Sequence, residues 1–340
     1  MQNDFRNRTY LSQRHRLSHQ QIDHFLGENR AREFMAEKLQ LLNAVNNFLF
    51  INDLLSRNGI TVVNLKGPLL SHRIYGDASV RFSRDFDLFV EIDQLGRVVE
   101  LLLENGFHFT EGSNWPEKKI QQEMLLKMEH HLSFYNNEHR FLVEIHWVLS
   151  HTMPISLKRQ KEIIAANLTE EVFAERKFTV LNKELELLYL LIHGSKHGWF
   201  RLKWLIDIHK YPVNNIDKEE FLRLATLLKA ERIIGQANFL LQRFFNSQLP
   251  FPGAYKLPGY FTSFALLAID STDTIPYSVG NEIKNHAYSW YMFQGLKYKF
   301  KIINGIFLRK SDIPRISSSF KIAYYLYRPY SFIKRRFLHS

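Results

Sequence analysis

The residues best suited to chemistry gather in one run, Arg81-Phe82-Ser83-Arg84-Asp85-Phe86-Asp87-Leu88-Phe89-Val90. Two aspartates two positions apart open a segment that is otherwise strongly apolar. Residues i and i+2 of a strand share a face, so Asp85 and Asp87 point the same way, about 7 Å apart along it. Like charges beside a core repel and lose hydration, which raises their pKa values unless a cation is supplied. A hard divalent ion with oxygen ligands is the natural cation, and a pair of such ions about 4 Å apart supports in-line phosphoryl or nucleotidyl displacement. Asp-x-Asp also occurs at strand ends and in turns, so the pair alone does not assign a function.

A second run, Phe141-Leu142-Val143-Glu144-Ile145-His146-Trp147, alternates. Phe141, Val143, Ile145 and Trp147 fall on one face, Glu144 and His146 on the other. Glu144 is thereby available as a third acidic ligand from a neighbouring strand, with His146 beside it. A satisfied, buried hydrogen-bonded pair is the other reading of these two residues. His193 and His197 are four apart on an expected helix and share a face, a spacing that suits a metal as well as packing. No acid lies between them as in His-Glu-x-x-His, which argues against a zinc protease. Trp147, Trp199 and Trp204 lie in apolar periodic stretches and read as core.

The elements that must position these groups are legible in outline. Glu33 to Ser56 carries Phe34, Leu39, Leu42, Val45, Phe48 and Leu49 at helical spacing, closed by Arg57-Asn58-Gly59. The β-branched run Ile60 to Leu65 predicts a buried strand, and Pro68 suits the first turn of a helix ending near Gly76-Asp77. Phe86 to Ile92 alternates as a strand, Asp93 is a plausible cap, and Leu95 to Glu104 a helix stopped by Asn105-Gly106. Strands at His131 to Tyr135 and Arg140 to Leu149 are joined by a short polar connection. From Lys158 the spacing becomes mostly helical, with a Pro- and Gly-rich loop at Gln248 to Gly259. This predicts an α+β fold: a small mixed β-sheet core flanked by helices, followed by a mostly α-helical domain. The expected divisions are a polar extension over 1–32, a catalytic core over 33–150, a helical domain over 151–250 and a basic, aromatic-rich region over 251–340.

The 340 residues, 45% hydrophobic and 23% charged, exclude a disordered or fibrous chain. A net charge of +11 favours polyanionic partners, and the absence of cysteine excludes disulfides, thiol nucleophiles and cysteine-held metals. From Lys297 to the end, eleven Lys and Arg residues face one acid, Asp312, with aromatics interleaved. Such a region either grips nucleic acid or an anionic surface, or forms a helical cap with solvated cations. Met1 to Arg32 has no signal-like apolar run, and the best membrane candidate, Leu185 to Ile192, is short and interrupted by Glu186. A cytoplasmic location without a transmembrane segment is the expectation.

Taken in order, Leu65-Lys66-Gly67, Tyr75-Gly76-Asp77, Arg81, Arg84 to Val90, Glu144 to Trp147, His193 to Trp199, Leu202-Lys203-Trp204 and Asp207 form a set. It resembles the nucleotidyltransferase superfamily related to DNA polymerase β, and most closely its uncharacterised bacterial nucleotidyltransferase family, over about residues 35–245. The resemblance implies that Asp85 and Asp87 bind Mg2+ or Mn2+. It implies that Glu144 is the third carboxylate, on the ion that activates the acceptor hydroxyl, and that Gly67 faces a nucleoside triphosphate such as ATP. Many members have Gly-Ser where this chain has Lys66-Gly67-Pro68, and Pro68 lacks an N–H to offer phosphate. Lys66, Arg81 and Arg84 are the candidate phosphate ligands in its place. His146, His193 and His197 are accessory candidates. The implied reaction moves a nucleoside monophosphate to a hydroxyl of an unknown acceptor. A catalytically inactive scaffold and an RNA-directed transferase are the competing functions.

Overall fold

The computed structural model describes residues 5, 7–30, 34–111, 113–150, 153–254, 256–271, 279–307 and 330. Its centre is a mixed seven-stranded sheet: β1 (Val63–Asn64), β2 (Asp85–Phe89), β3 (Phe107–Phe109), β4 (His131–Asn136), β5 (Phe141–His146), β6 (Leu168–Phe173) and β7 (Arg176–Leu181). The spatial order is β3-β4-β5-β2-β1-β7-β6. β2 runs parallel to β5 and β1 parallel to β7, while the other neighbours are antiparallel.

The two faces of the sheet meet different partners because the apolar residues alternate. Phe86, Leu88, Val143, Ile145, Phe178 and Val180 bury against α3 (Met35–Arg57), α5 (Leu95–Glu104) and α6 (Lys119–Met128). Across the sheet, Val63, Leu65, Phe89 and Leu181 join a second core. Its helices include α1 (Arg8–His15), α2 (His19–Leu26), α8 (Lys183–Lys196), α9 (Leu202–Lys210), α10 (Lys218–Leu228), α11 (Glu231–Phe245) and α12 (Gly259–Asp270). α4 (Pro68–Tyr75) follows β1 and contributes Leu69 to one core and Leu70 to the other. α7 (Leu157–Ala165) precedes β6, and α13 (Val279–Met292) and α14 (Leu296–Phe307) follow α12. Among the described residues, no helix is long and apolar enough to cross a membrane.

The α+β class expected from the sequence is the observed one, with differences in detail. The sheet continues past residue 150 through the β6–β7 hairpin, which the mostly helical expectation from Lys158 onward passed over. Ala174 and Glu175 turn that hairpin with φ of 47° and 60°, a left-handed pair usually supplied by Asn-Gly, so the usual hairpin signal is missing. β6 is an edge strand with exposed Leu168, Thr169 and Glu170, which weakens its apolar alternation. β1 is only two residues long, β2 ends at Phe89, and α5 is preceded by Gln94 rather than capped by Asp93. On α3, Phe48, Ile51 and Leu55 are buried, but Leu39 and Leu42 are exposed.

Within the polar start, Leu11, Leu17 and Ile22 bury in the helical core. The basic C-terminal run falls largely outside the described residues. Within it, Tyr298 is buried, and Lys301 Nζ donates to the Met153 and Ile155 carbonyls at 2.6 and 3.2 Å.

Candidate active site

The parallel register of β2 and β5 sets Asp87 opposite Glu144 and Phe89 opposite His146. Phe86 and Leu88 occupy one core with Val143 and Ile145, so alternation turns Asp85, Asp87, Glu144 and His146 to the other face. There they line a cavity of about 240 Å3, closed by Tyr189, His193, Lys196 and His197 and by Phe200, Arg201, Lys203 and Trp204. Glu144 therefore converges with the aspartates, as alternation requires. One ligand atom from each of Asp87, Glu144 and His146 lies within 4.8 Å of the others. Asp85 lines the same cavity but is outside that close group.

Lys66 is held over the carboxylates by its neighbour: Leu65 N–H donates to the Asp87 carbonyl at 3.0 Å, which continues the β1–β2 pairing. Its Nζ reaches Asp87 Oδ1 at 3.0 Å and lies 3.4 Å from His193 Nδ1. His146 Nε2 lies 3.1 Å from the same Asp87 oxygen and 3.4 Å from Glu144 Oε2. Burial opposes a charged Asp87, but the Lys66 ammonium and the His146 hydrogen bond outweigh it and hold the carboxyl well below the usual range. Burial likewise opposes a charged His146, and its bonds to Asp87 and Glu144 prevail and raise its pKa. Around them the cations are poorly solvated. Burial, then Lys66, brings Lys196 down to about 8, and burial, then Arg81, brings Lys203 down to about 7.

Arg81 lines the cavity, yet its Nε is committed to Asp207 Oδ2 at 2.8 Å and one terminal nitrogen to Ser83 Oγ at 3.1 Å. Tyr75 donates to Asp207 Oδ1 at 3.0 Å and accepts from Gln21 Nε2 at 2.9 Å. The separated sequence features Tyr75, Arg81 and Asp207 thus form one buried network tying α2, α4 and α9 to the loop before β2. Gly67 is not among the lining residues. Its φ of 97° makes the turn into α4, packed near Phe86 and Phe48. Arg84 is exposed and outside the lining.

His193 and His197 both line the cavity, and Trp204 does too, stacked on His197 at 5.1 Å, although its periodicity reads as core. Trp147 and Trp199 are fully buried as expected. His130, His131, Tyr189 and Arg201 also line the cavity and lie outside the motifs that the sequence offers. Lys196 and Lys203 line it too; both stand within the ordered motif set, which assigned them no role.

The donor set fits a hard divalent ion. Asp87 and Glu144 bring carboxylate oxygens from paired strands, Asp85 stands on the same face, and the Lys66 ammonium already occupies a cation position against Asp87. Carboxylates from neighbouring parallel strands thus face a cavity lined by lysine and arginine, a charge arrangement chemically suited to a phosphate beside a cation. The chain belongs to the family described as uncharacterised nucleotidyltransferase, whose model matches residues 13–246. That span takes in α2 as well as the ordered motifs. No curated protein matches the chain. Among solved structures it is similar to the lincosamide antibiotic adenylyltransferase LnuA in its lincomycin-bound form, at 17% identity over 49% of this chain and 94% of that one, with a TM-score of 0.33. It is also similar to the antibiotic-resistance factor ANT(2'')-Ia, at 12% identity over 59% of this chain and 94% of that one, with a TM-score of 0.31.

Proposed function

We propose that this nucleotidyltransferase moves a nucleoside monophosphate from a nucleoside triphosphate to a hydroxyl of an acceptor and releases pyrophosphate. The observation that carries the reading is the register of Asp87 with Glu144, with Asp85 on the same face of the cavity. The acceptor oxygen attacks the α-phosphorus, the bond from that phosphorus to the bridging oxygen breaks, and pyrophosphate leaves with the bond's electron pair. The hydroxyl proton passes to a cavity carboxylate and on to solvent.

Asp85, Asp87 and Glu144 would hold Mg2+ or Mn2+, which supplies charge neutralisation at the α-phosphate and lowers the acceptor hydroxyl's pKa. Lys66 and His146 both contact Asp87 Oδ1, which leaves the second carboxylate oxygen to ligate while the Lys66 ammonium stays beside the triphosphate site. Lys66, Lys196, Arg201 and Lys203 offset the triphosphate charge inside a poorly solvated cavity, where fixed charges act most strongly. Calorimetry with each triphosphate, with and without Mg2+, tests this reading. Metal-dependent triphosphate binding that Asp85→Asn weakens supports it. Binding of neither supports the inactive scaffold.

A further inference from the structure

The cavity wall next to the carboxylates carries three histidines, of which His130 and His131 have no part in the transfer proposed above. His131 opens β4, and the antiparallel register of β4 with β5 sets it opposite His146. His130 is kept alongside because Trp147 N–H donates to its carbonyl at 3.1 Å. One ligand nitrogen of each of His130, His131 and His146 lies within 4.8 Å of the others.

One unpartnered atom and two contacts bear on this place. His146 is 3% exposed, and its Nδ1 has no hydrogen-bond partner among the described residues, a costly state for a buried ring nitrogen. Lys196 Nζ lies 2.7 Å from His130 Nε2, so that nitrogen already presents its lone pair to a cation. Glu144 faces the same group, with Oε1 3.8 Å from His131 Nε2 and Oε2 3.4 Å from His146 Nε2.

We propose that His130, His131 and His146, with Glu144 as fourth ligand, form a binding site for a borderline divalent transition ion of the Zn2+ and Co2+ class. Imidazole nitrogen suits such ions better than it suits Mg2+. Tetrahedral bonds of about 2.0–2.1 Å put ligand atoms about 3.4 Å apart. Rotation of His131, whose side chain is 24% exposed, and displacement of Lys196 bring the group to that spacing. The site borders the carboxylate site and shares Glu144 with it, differs from it in its three imidazole ligands, and stands whether or not the cavity transfers nucleotide.

Titration of the full chain with CoCl2, read by the strong visible d–d absorption of four-coordinate Co2+, tests the site. The expected result is a band that saturates at a single equivalent, is bleached by Zn2+, is lost in His130→Gln and in His131→Gln, and persists in Asp85→Asn. A second measurement uses the unaltered protein: Zn2+ should protect His131 from diethyl pyrocarbonate modification, read by mass spectrometry. The proposal is overturned by absence of the four-coordinate band, by its survival in both histidine variants, by its loss in Asp85→Asn, or by undiminished His131 modification under saturating Zn2+.

Discussion

Lys66 Nζ lies 3.0 Å from Asp87 Oδ1, with both side chains buried, so a lysine from the loop after β1 neutralises the carboxylate at the centre of the candidate site. The Asp-x-Asp pattern gives no hint of this partner. Were Asp87 a metal ligand alone, Asp87→Asn would leave the fold intact. The ion pair changes that expectation. Asp87→Asn leaves a buried ammonium without its carboxylate and should destabilise the fold by about 3–5 kcal/mol. The Lys66→Met/Asp87→Asn double variant should recover much of the loss in urea unfolding. Additive losses would show that the pair does not couple.

The network of Arg81, Asp207 and Tyr75 makes a second prediction. Arg81 and Asp207 are both buried, and Asp207 accepts from both Arg81 and Tyr75. Asp207→Asn should cost about 3–5 kcal/mol, and Tyr75→Phe about 1–3 kcal/mol. Thermal unfolding measures both. An unchanged melting temperature in Asp207→Asn would contradict the structural role assigned to Arg81.

Gly194 explains part of the His193 to Trp199 run. A Cβ at this position would lie 2.3 Å from Trp199 Cζ3. The Trp199 Nε1–H donates to Gln236 Oε1 at 2.8 Å, which holds the indole in place. Gly194→Ala should therefore lose about 1–3 kcal/mol through overpacking. Calorimetric melting as stable as the parent would mean that the indole moves freely.

How much of this was legible depended on whether a local pattern carried the information. Strand alternation placed Asp87, Glu144 and His146 on one face because that period is a backbone property. Gly67 and Arg84 were drawn into the site by motif position, yet the turn at Gly67 packs on Phe86 and Phe48, and Arg84 points to solvent. Arg81 reaches the cavity but is bound to Asp207, a partner 126 positions away that no spacing reveals. His130 and His131 join the wall through the β4–β5 register, which depends on tertiary pairing. The β6–β7 hairpin escaped notice because Ala174 and Glu175 stand where glycine or asparagine would have marked a turn.

Lys203 gives the fold a defined pH response. Burial, then Arg81, lowers its pKa from 10.5 to about 7. Below that value the lysine is charged in both the folded and unfolded chain. Between about 7 and 10.5 the unfolded chain binds the extra proton, so this group's contribution to stability rises with pH across that window. Replacing it with Met should flatten the rise, as read by melting temperature in a buffer series from neutral pH upward. An identical slope in Lys203→Met would remove the assignment.

The most direct measurement is transfer of label from α-phosphate-labelled nucleoside triphosphates, with Mg2+, to an acceptor in cell extract. Asp85→Asn is the decisive variant, because Asp85 lines the cavity without an ion pair among the described residues, so its loss separates chemistry from folding. Labelled product is expected with the parent protein, and at least a hundredfold less with folded Asp85→Asn or Glu144→Gln. Equal labelling by parent and both folded variants would contradict transfer at these carboxylates.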